Sequence, residues 1–240
     1  MKTAIVTGAS GGIGSAIAAR LAGMGYDTAV CYKNGKEKAE AAAAGLCALG
    51  LSAFPLYLDV TDEASIVSAA AACEERGPLA VAVNNAGICF TRQIQDVSAE
   101  DIGRMFSVNT FGPILLCREA AKLMIPRKEG CIINVSSIWG ETGASCESLY
   151  SSSKASLIAL TRSLALELGP SGIRVNCIDP GVIDTPMNAA YSGEEMAALA
   201  AAAPLGRIGQ PEDVAEAAEF LVKARFVTGQ TVTVDGGFTL

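Results

Sequence analysis

The sequence predicts an α/β fold with a doubly wound, seven-stranded parallel sheet and helices on both faces. Three observations lead there. Short apolar, β-like runs alternate with helix-like stretches almost from end to end, as in a parallel sheet covered on both sides. A glycine-rich turn joins the first strand to the first helix. No linker, repeat or charge block divides the chain, so residues 1–240 read as one domain.

The candidate strands are Thr3–Thr7, Thr28–Tyr32, Ala53–Leu58, Leu79–Asn84, Cys131–Ser136, Arg174–Ile178 and Thr231–Val234. Between them run stripes that suit helices packed on a sheet, such as Ile13, Ile17, Leu21 and Met24, and later Leu157, Leu160, Leu164 and Leu168. Helix starts are marked by Thr61 before Asp62 and Glu63, by Ser98 three residues before Asp101, and by Pro211 before Glu212 and Asp213. Gly169 and Pro170 stop the long helix that precedes them. Pro55 lacks the N–H that a central strand needs, so the third strand belongs at a sheet edge, where a 3-2-1-4-5-6 order puts it.

Composition narrows the chemistry. Half the residues are apolar and 18% are charged, which fits a globular chain and not a disordered one. The absence of histidine removes Ser-His-Asp and Cys-His nucleophile systems and the usual imidazole base. Any acid or base must be Tyr, Lys, Cys, Asp or Glu. A net charge of −7 with no basic run argues against nucleic acid or an anionic membrane as partner. The eight cysteines form no CxxC pair and no ligand-spaced cluster, so they read as buried thiols in a reducing cytoplasm, with no metal site. Neither uncharged stretch, Thr3–Ala19 or Ala41–Leu58, is long and unbroken enough for an export signal or a membrane span, because glycines and Pro55 interrupt them.

The turn after the first strand reads Thr7-Gly8-Ala9-Ser10-Gly11-Gly12-Ile13-Gly14. Glycines there let backbone approach a pyrophosphate while the helix N-terminus faces it. A tight structural turn would also explain them. The second strand ends Cys31-Tyr32-Lys33-Asn34, with Lys36 and Lys38 close behind and no carboxylate where NAD sites usually place one. Local positive charge in an acidic chain favours a 2′-phosphate, hence NADP(H), with NAD(H) as the alternative. The lysines would equally suit a solvated helix start.

Tyr150 and Lys154 stand four apart at the start of a helix and project from one face. A free tyrosine, with a pKa of about 10, is a slow acid or base at neutral pH, and a neighbouring ammonium lowers that value. Ser137, at a strand end, offers a donor to the same carbonyl oxygen. Taken singly, Tyr150 over a lysine stem is ordinary packing.

These residues have company. With Thr7–Gly14, Asp59-Val60, Asn84-Asn85-Ala86-Gly87, Asn109, Ser136-Ser137, Pro180-Gly181 with Thr185, and Val234-Asp235-Gly236-Gly237, the chain resembles the short-chain dehydrogenases/reductases over essentially its whole length. The resemblance implies a Rossmann fold and reduction of a carbonyl, with Tyr150 as general acid and Ser137 orienting the carbonyl. It implies that Lys154 lowers the tyrosine pKa and binds ribose hydroxyls, and that Asn109 holds a relay water. It assigns the cofactor to Gly8, Ser10, Gly12, Ile13 and Gly14 at the pyrophosphate, Tyr32 and Lys33 at the adenosine ribose, and Asp59 and Val60 at adenine. Asn85, Ala86 and Gly87 would line it, and Pro180, Gly181, Val182 and Thr185 would anchor the carboxamide end. NADP-using relatives often carry Arg where Gly11 stands, leaving Lys33 more of the phosphate recognition.

Substrate identity is expected in a lid at about residues 187–204, whose small side chains name no ligand. Within the family the chain is most similar to 3-oxoacyl-[acyl-carrier-protein] reductases, through its length, Pro204-Leu205-Gly206-Arg207 and the Val234–Gly237 ending. An acidic carrier would need a basic patch near the pocket, to which Arg127 and Lys128 contribute. The stretches Ser136–Gly140 and Gly143–Glu147 also resemble reductases of the 5-aminopentanone adduct on elongation factor P. A hydroxysteroid or other small-ketone dehydrogenase, and a non-catalytic NADPH-binding regulator, complete the alternatives. The family implies a homotetramer.

Overall fold

The computed structural model describes residues 1–189 and 191–240; Ala190, inside the expected lid, lies outside the described residues. Seven strands form one sheet: β1 Thr3–Val6, β2 Asp27–Tyr32, β3 Ala53–Tyr57, β4 Leu79–Asn84, β5 Gly130–Val135, β6 Ile173–Pro180 and β7 Thr231–Val234. Their order is β3-β2-β1-β4-β5-β6-β7 and every pairing is parallel, as the alternation of elements requires. Pro55 sits in edge strand β3, paired to Val30 on one side only, so its missing N–H costs the ladder nothing.

Side chains alternate across the sheet. In β1, Ala4 and Val6 enter one core with Ile17 and Leu21 of α1 (Gly12–Gly23) and Val214 and Leu221 of the last described helix, Pro211–Lys223. Ile5 enters the opposite core with Leu116, Met124 and Leu168. That second layer is made by α3 (Glu63–Arg76), α5 (Gly112–Met124) and α7 (Ser148–Leu168), α2 (Lys36–Ala48) and α4 (Ala99–Phe106) being the intervening helices. Fully burying each such aliphatic side chain is worth about 1.5–3 kcal/mol, and these contacts hold the strand ends in register.

Helix starts follow local chemistry. Ser98 and Asp101 form a reciprocal capping box, and Pro211 opens its helix behind Gln210. Thr61 is not the cap of α3: the Asp62 carboxylate accepts from Ala64 N at 3.0 Å, and Thr61 turns back to Asp59. Between α4 and α5 the helix widens into a π turn over Ser107–Phe111. A polar ladder crosses the core where Asn84 donates to Asn134 (2.9 Å) and Asn134 to Thr161 (2.8 Å), tying β4, β5 and α7 together.

Candidate active site

The predicted site residues gather at the carboxyl ends of the parallel strands, where an open α/β sheet leaves its crevice. After β1 the chain turns with Gly8 and Gly12 in the left-handed region (φ +64° and +56°) and enters α1. A Cβ on Gly14 would lie 2.4 Å from the Gly8 carbonyl oxygen and 2.5 Å from Asn85 Nδ2, so the loop closes only on glycine. The Thr7 hydroxyl accepts from the backbone N–H of Asn85 and Ala86, both at 2.9 Å, while Asn85 Nδ2 donates to the Thr7 carbonyl at 3.0 Å. Asn85 thereby builds the cradle with its side chain. No acid lies in the first turn of α1, leaving its N-terminal dipole unneutralised, as an anion site needs.

At the second strand end, Tyr32 meets Tyr57 edge-on at 6.0 Å, and Lys33 Nζ lies 2.7 Å from Asp59 Oδ2. Burial alone would raise the Asp59 carboxyl, but Lys33 and Thr61 outweigh it and hold it below its ordinary value. Val60 presses on the first turn of α5, its carbonyl 2.6 Å from where a Gly112 Cβ would stand.

Tyr150 and Lys154 share the buried face of α7, 8% and 4% exposed. Ser137, the residue after the turn out of β5, caps the short helix α6 (Ile138–Thr142) by accepting from Trp139 N at 3.2 Å. Burial raises the Tyr150 phenol above its ordinary value, Cys89 adds to that, and the Ser137 hydroxyl opposes it. Lys154 Nζ donates to the Val135 carbonyl at 2.9 Å and stands 5.7 Å from the phenol ring centre. Burial lowers the Lys154 ammonium to about 8, with Cys177 and Asp179 pulling the other way. Thus desolvation governs Tyr150 in this structure and keeps it protonated at neutral pH, the form a general acid needs.

Asn109 stands in the π turn, fully buried. Its amide pairs reciprocally with Ile88, accepting from the N–H and donating to the carbonyl, both at 2.8 Å, and it also donates to Ser153 Oγ at 3.1 Å. The side chain is spent on protein partners, so any relay water would fall to its main chain. A Cβ at Gly87 would lie 3.3 Å from Lys154 Nζ and 3.4 Å from Asn109 Oδ1, which places these three residues together. Across the crevice, Thr185 Cγ2 is 3.4 Å from a Gly12 Cβ. Gly181 N donates to the Val234 carbonyl at 2.9 Å, and Asp235 caps the turn behind it through Gly237 N (2.8 Å) and Thr239 N (2.9 Å). Ser10 borders Gly35 on the adenosine side, its Oγ 3.8 Å from a Cβ there, and Val182 accepts from Gly209 N at 3.0 Å. Ile13 packs on the core beneath the loop.

Three site residues lacked a sequence signal. Cys89 Sγ contacts Glu147 Oε2 at 3.8 Å, beside Tyr150, although 58 residues separate them in the chain. Asp179, wholly buried before Pro180, has its carboxyl raised to about 7 by burial, and its Oδ2 has no partner among the described residues. The basic pair Arg127 and Lys128 lies elsewhere than expected. Both precede β5, at the amino ends of the strands, and Arg127 is held by Glu74 (2.5 Å) and the Leu79 carbonyl (2.9 Å). Within one chain they do not border the crevice.

A family model described as enoyl-(acyl carrier protein) reductase matches residues 8–239. The chain is 38% identical to the uncharacterized oxidoreductase YmfI of Bacillus subtilis, over 99% of this chain and 98% of that one. It is also 38% identical to the 3-oxoacyl-[acyl-carrier-protein] reductase FabG of Staphylococcus aureus, over 98% and 97%. A gluconate 5-dehydrogenase from Burkholderia cenocepacia, solved in complex with NADP and tartrate, superposes with a TM-score of 0.93 at 31% identity, covering 99% of this chain and 95% of the other. With the seven-stranded sheet and the matched length, these findings place the chain in the short-chain dehydrogenase/reductase family of NAD(P)-dependent oxidoreductases.

Proposed function

We propose that the chain is an NADP(H)-dependent reductase that converts a ketone to a secondary alcohol, with Tyr150 as general acid. The observation that carries this is the meeting of Tyr150, Lys154, Ser137 and Asn109 beside the glycine cradle at one end of the sheet. The cradle fits a dinucleotide: Gly14 admits no side chain where the loop closes on Gly8, the helix end is uncompensated, and Lys33 supplies positive charge at the second strand end. Gly8, Gly12 and Gly14 would hold the pyrophosphate, Lys33 the 2′-phosphate, and Pro180–Val182 with Thr185 the carboxamide end. A bound reduced nicotinamide supplies hydride to the carbonyl carbon. Ser137 orients the carbonyl oxygen, Tyr150 delivers its proton to that oxygen, and Lys154 charges the pocket and meets ribose hydroxyls.

The kinship with FabG supports a 3-oxoacyl thioester as substrate. A second reading, the 5-aminopentanone group on elongation factor P, is favoured by the position of Arg127 and Lys128, which lie at the amino ends of the strands and cannot dock a carrier protein at this chain's own crevice. Exposed Phe111 at the end of the π turn, Ile114 on α5 and Leu166 on α7 suit the helix-paired faces of a homotetramer, the eight free thiols suit a cytoplasmic setting, and residues 187–204 serve as the lid. Among the described residues no helix is long and apolar enough to cross a membrane. The test is NADPH and NADH oxidation with acetoacetyl thioesters, small diketones and steroids. Cofactor binding without turnover on the whole panel would establish the regulator instead.

A further inference from the structure

Glu147 precedes Tyr150 by three residues and faces the same space. It is half-buried, and the Cys89 thiol, at 3.8 Å, is the one hydrogen-bond partner of its carboxylate among the described residues. No described cation pairs with it. Its charge contributes to raising the phenols of both Tyr150 and Tyr191, so the carboxylate lies near the acid and near the 187–204 segment. The charges of the neighbouring groove are arranged differently. That groove is lined by Cys89, Phe90, Arg92, Arg104 and Met187, and Arg92 is engaged by Asp101 at 2.5 Å and lies over the Phe90 ring. Asp101 also lines the groove, so its carboxylate is answered there by Arg92, whereas the Glu147 carboxylate has no cation partner among the described residues.

We infer that Glu147 is a specificity-determining residue that selects a ketone carrying a cationic amine. The inference rests on the reading of Tyr150 as the acid that protonates a ketone. Burial penalises a lone carboxylate, and Glu147 is raised above its ordinary value for that reason. A substrate ammonium would remove the penalty and form a charge-assisted hydrogen bond, whereas a substrate carboxylate would meet like charge. A neutral ketone gains nothing from Glu147 and loses nothing to it. Specificity thus comes from attraction of one class and rejection of another.

The experiment compares three methyl ketones that share three methylenes and differ at the end: a dimethylamino group, its isopropyl isostere and a carboxylate. The tertiary amine cannot cyclise onto the ketone. The cationic ketone should exceed the isostere in kcat/KM by about tenfold, which corresponds to about 1.4 kcal/mol, and the carboxylate should fall below it. In Glu147→Gln the ratio of cationic to neutral ketone should fall to about one, and in Glu147→Lys the carboxylate should lead. NADPH affinity, read by cofactor fluorescence, reports whether each variant is folded. Equal kcat/KM for cation and isostere in the wild type, or a preference that survives Glu147→Gln, overturns the inference and leaves the reductase reading standing. No turnover of any of the three, or of the thioester and diketone panel, overturns both.

Discussion

Lys33 Nζ and Asp59 Oδ2 stand 2.7 Å apart across the ends of β2 and β3, so the residue expected to read a 2′-phosphate already has a carboxylate partner. Lys33 is half exposed, and an exposed pair of this kind is worth little in stability, about 1 kcal/mol or less. Its consequence is for cofactor choice. A phosphate must share the ammonium with Asp59, and removing the lysine leaves Asp59 to repel the phosphate. Lys33→Ala should lower the NADPH-to-NADH ratio of kcat/KM by about tenfold, chiefly through KM for NADPH. An unchanged ratio would remove Lys33 from cofactor recognition.

Gly11 offers the converse change. Its backbone is extended (φ 174°) and a Cβ there meets nothing within 4 Å, so a side chain is tolerated where Gly14 tolerates none. Arginine's planar fork suits a phosphate. Gly11→Arg should tighten NADPH binding by about tenfold with little change in NADH binding or melting temperature, as titration of cofactor fluorescence would show. Gly14→Ala, whose Cβ would sit 2.4 Å from the Gly8 carbonyl oxygen, should fail to bind either cofactor.

Tyr150→Phe removes the proton donor and keeps the ring buried on α7. Reduction of any active ketone should fall by about a hundredfold to ten-thousandfold, the usual span for a positioned general acid. NADPH affinity should stay within about twofold. Turnover near the wild-type rate would give the proton to another group, with Glu147 and Lys154 the next to test.

Much of this was legible in the residues, and what was not has a physical cause. Pro55 fixes the sheet edge because a missing N–H is a local fact, and the glycine loop shows itself because its steric need is local too. The π turn at Ser107–Phe111 has no such mark. It is imposed by tertiary partners, Ile88 on Asn109 and Ser153 and Ser156 on Thr110, that the chain brings in from other elements. Cys89 and Glu147 meet for the same reason. Arg127 and Lys128 read as a basic patch, yet their place before β5 puts them at the wrong end of the strands.

The Asn109 side chain satisfies both backbone groups of Ile88 and Ser153 Oγ in a buried place. Asn109→Ala leaves the Ile88 N–H and carbonyl unpaired, at about 1 kcal/mol or more each, while Ser153 Oγ keeps its bond to the Tyr150 carbonyl, for a total of roughly 2–3 kcal/mol. The melting temperature should drop by about 10 °C in a chain of this length. A shift within about 2 °C would mean that water replaces the amide at no cost.

Asp179 should make stability fall as pH rises. Burial lifts its carboxyl to about 7 in the folded chain, despite hydrogen bonds from Cys177 and Ser136 and the charge of Lys154, and Glu141 adds to the lift. In the unfolded chain the same carboxyl titrates at about 3.9. Between these values the folded state holds a proton that the unfolded state has lost, so unfolding becomes easier with each unit of pH, the reverse of a salt-bridged aspartate. At roughly 1.4 kcal/mol per unit the whole window amounts to about 4 kcal/mol. Asp179→Asn keeps the shape and removes the titration. Its advantage in melting temperature over the wild type should therefore widen from pH 5 to pH 7 and level off above, with NADPH absent so that cofactor binding does not enter. An advantage that is flat or narrows with pH would show that Asp179 is ionised in the folded chain at acid pH, with Lys154 as its counter-ion.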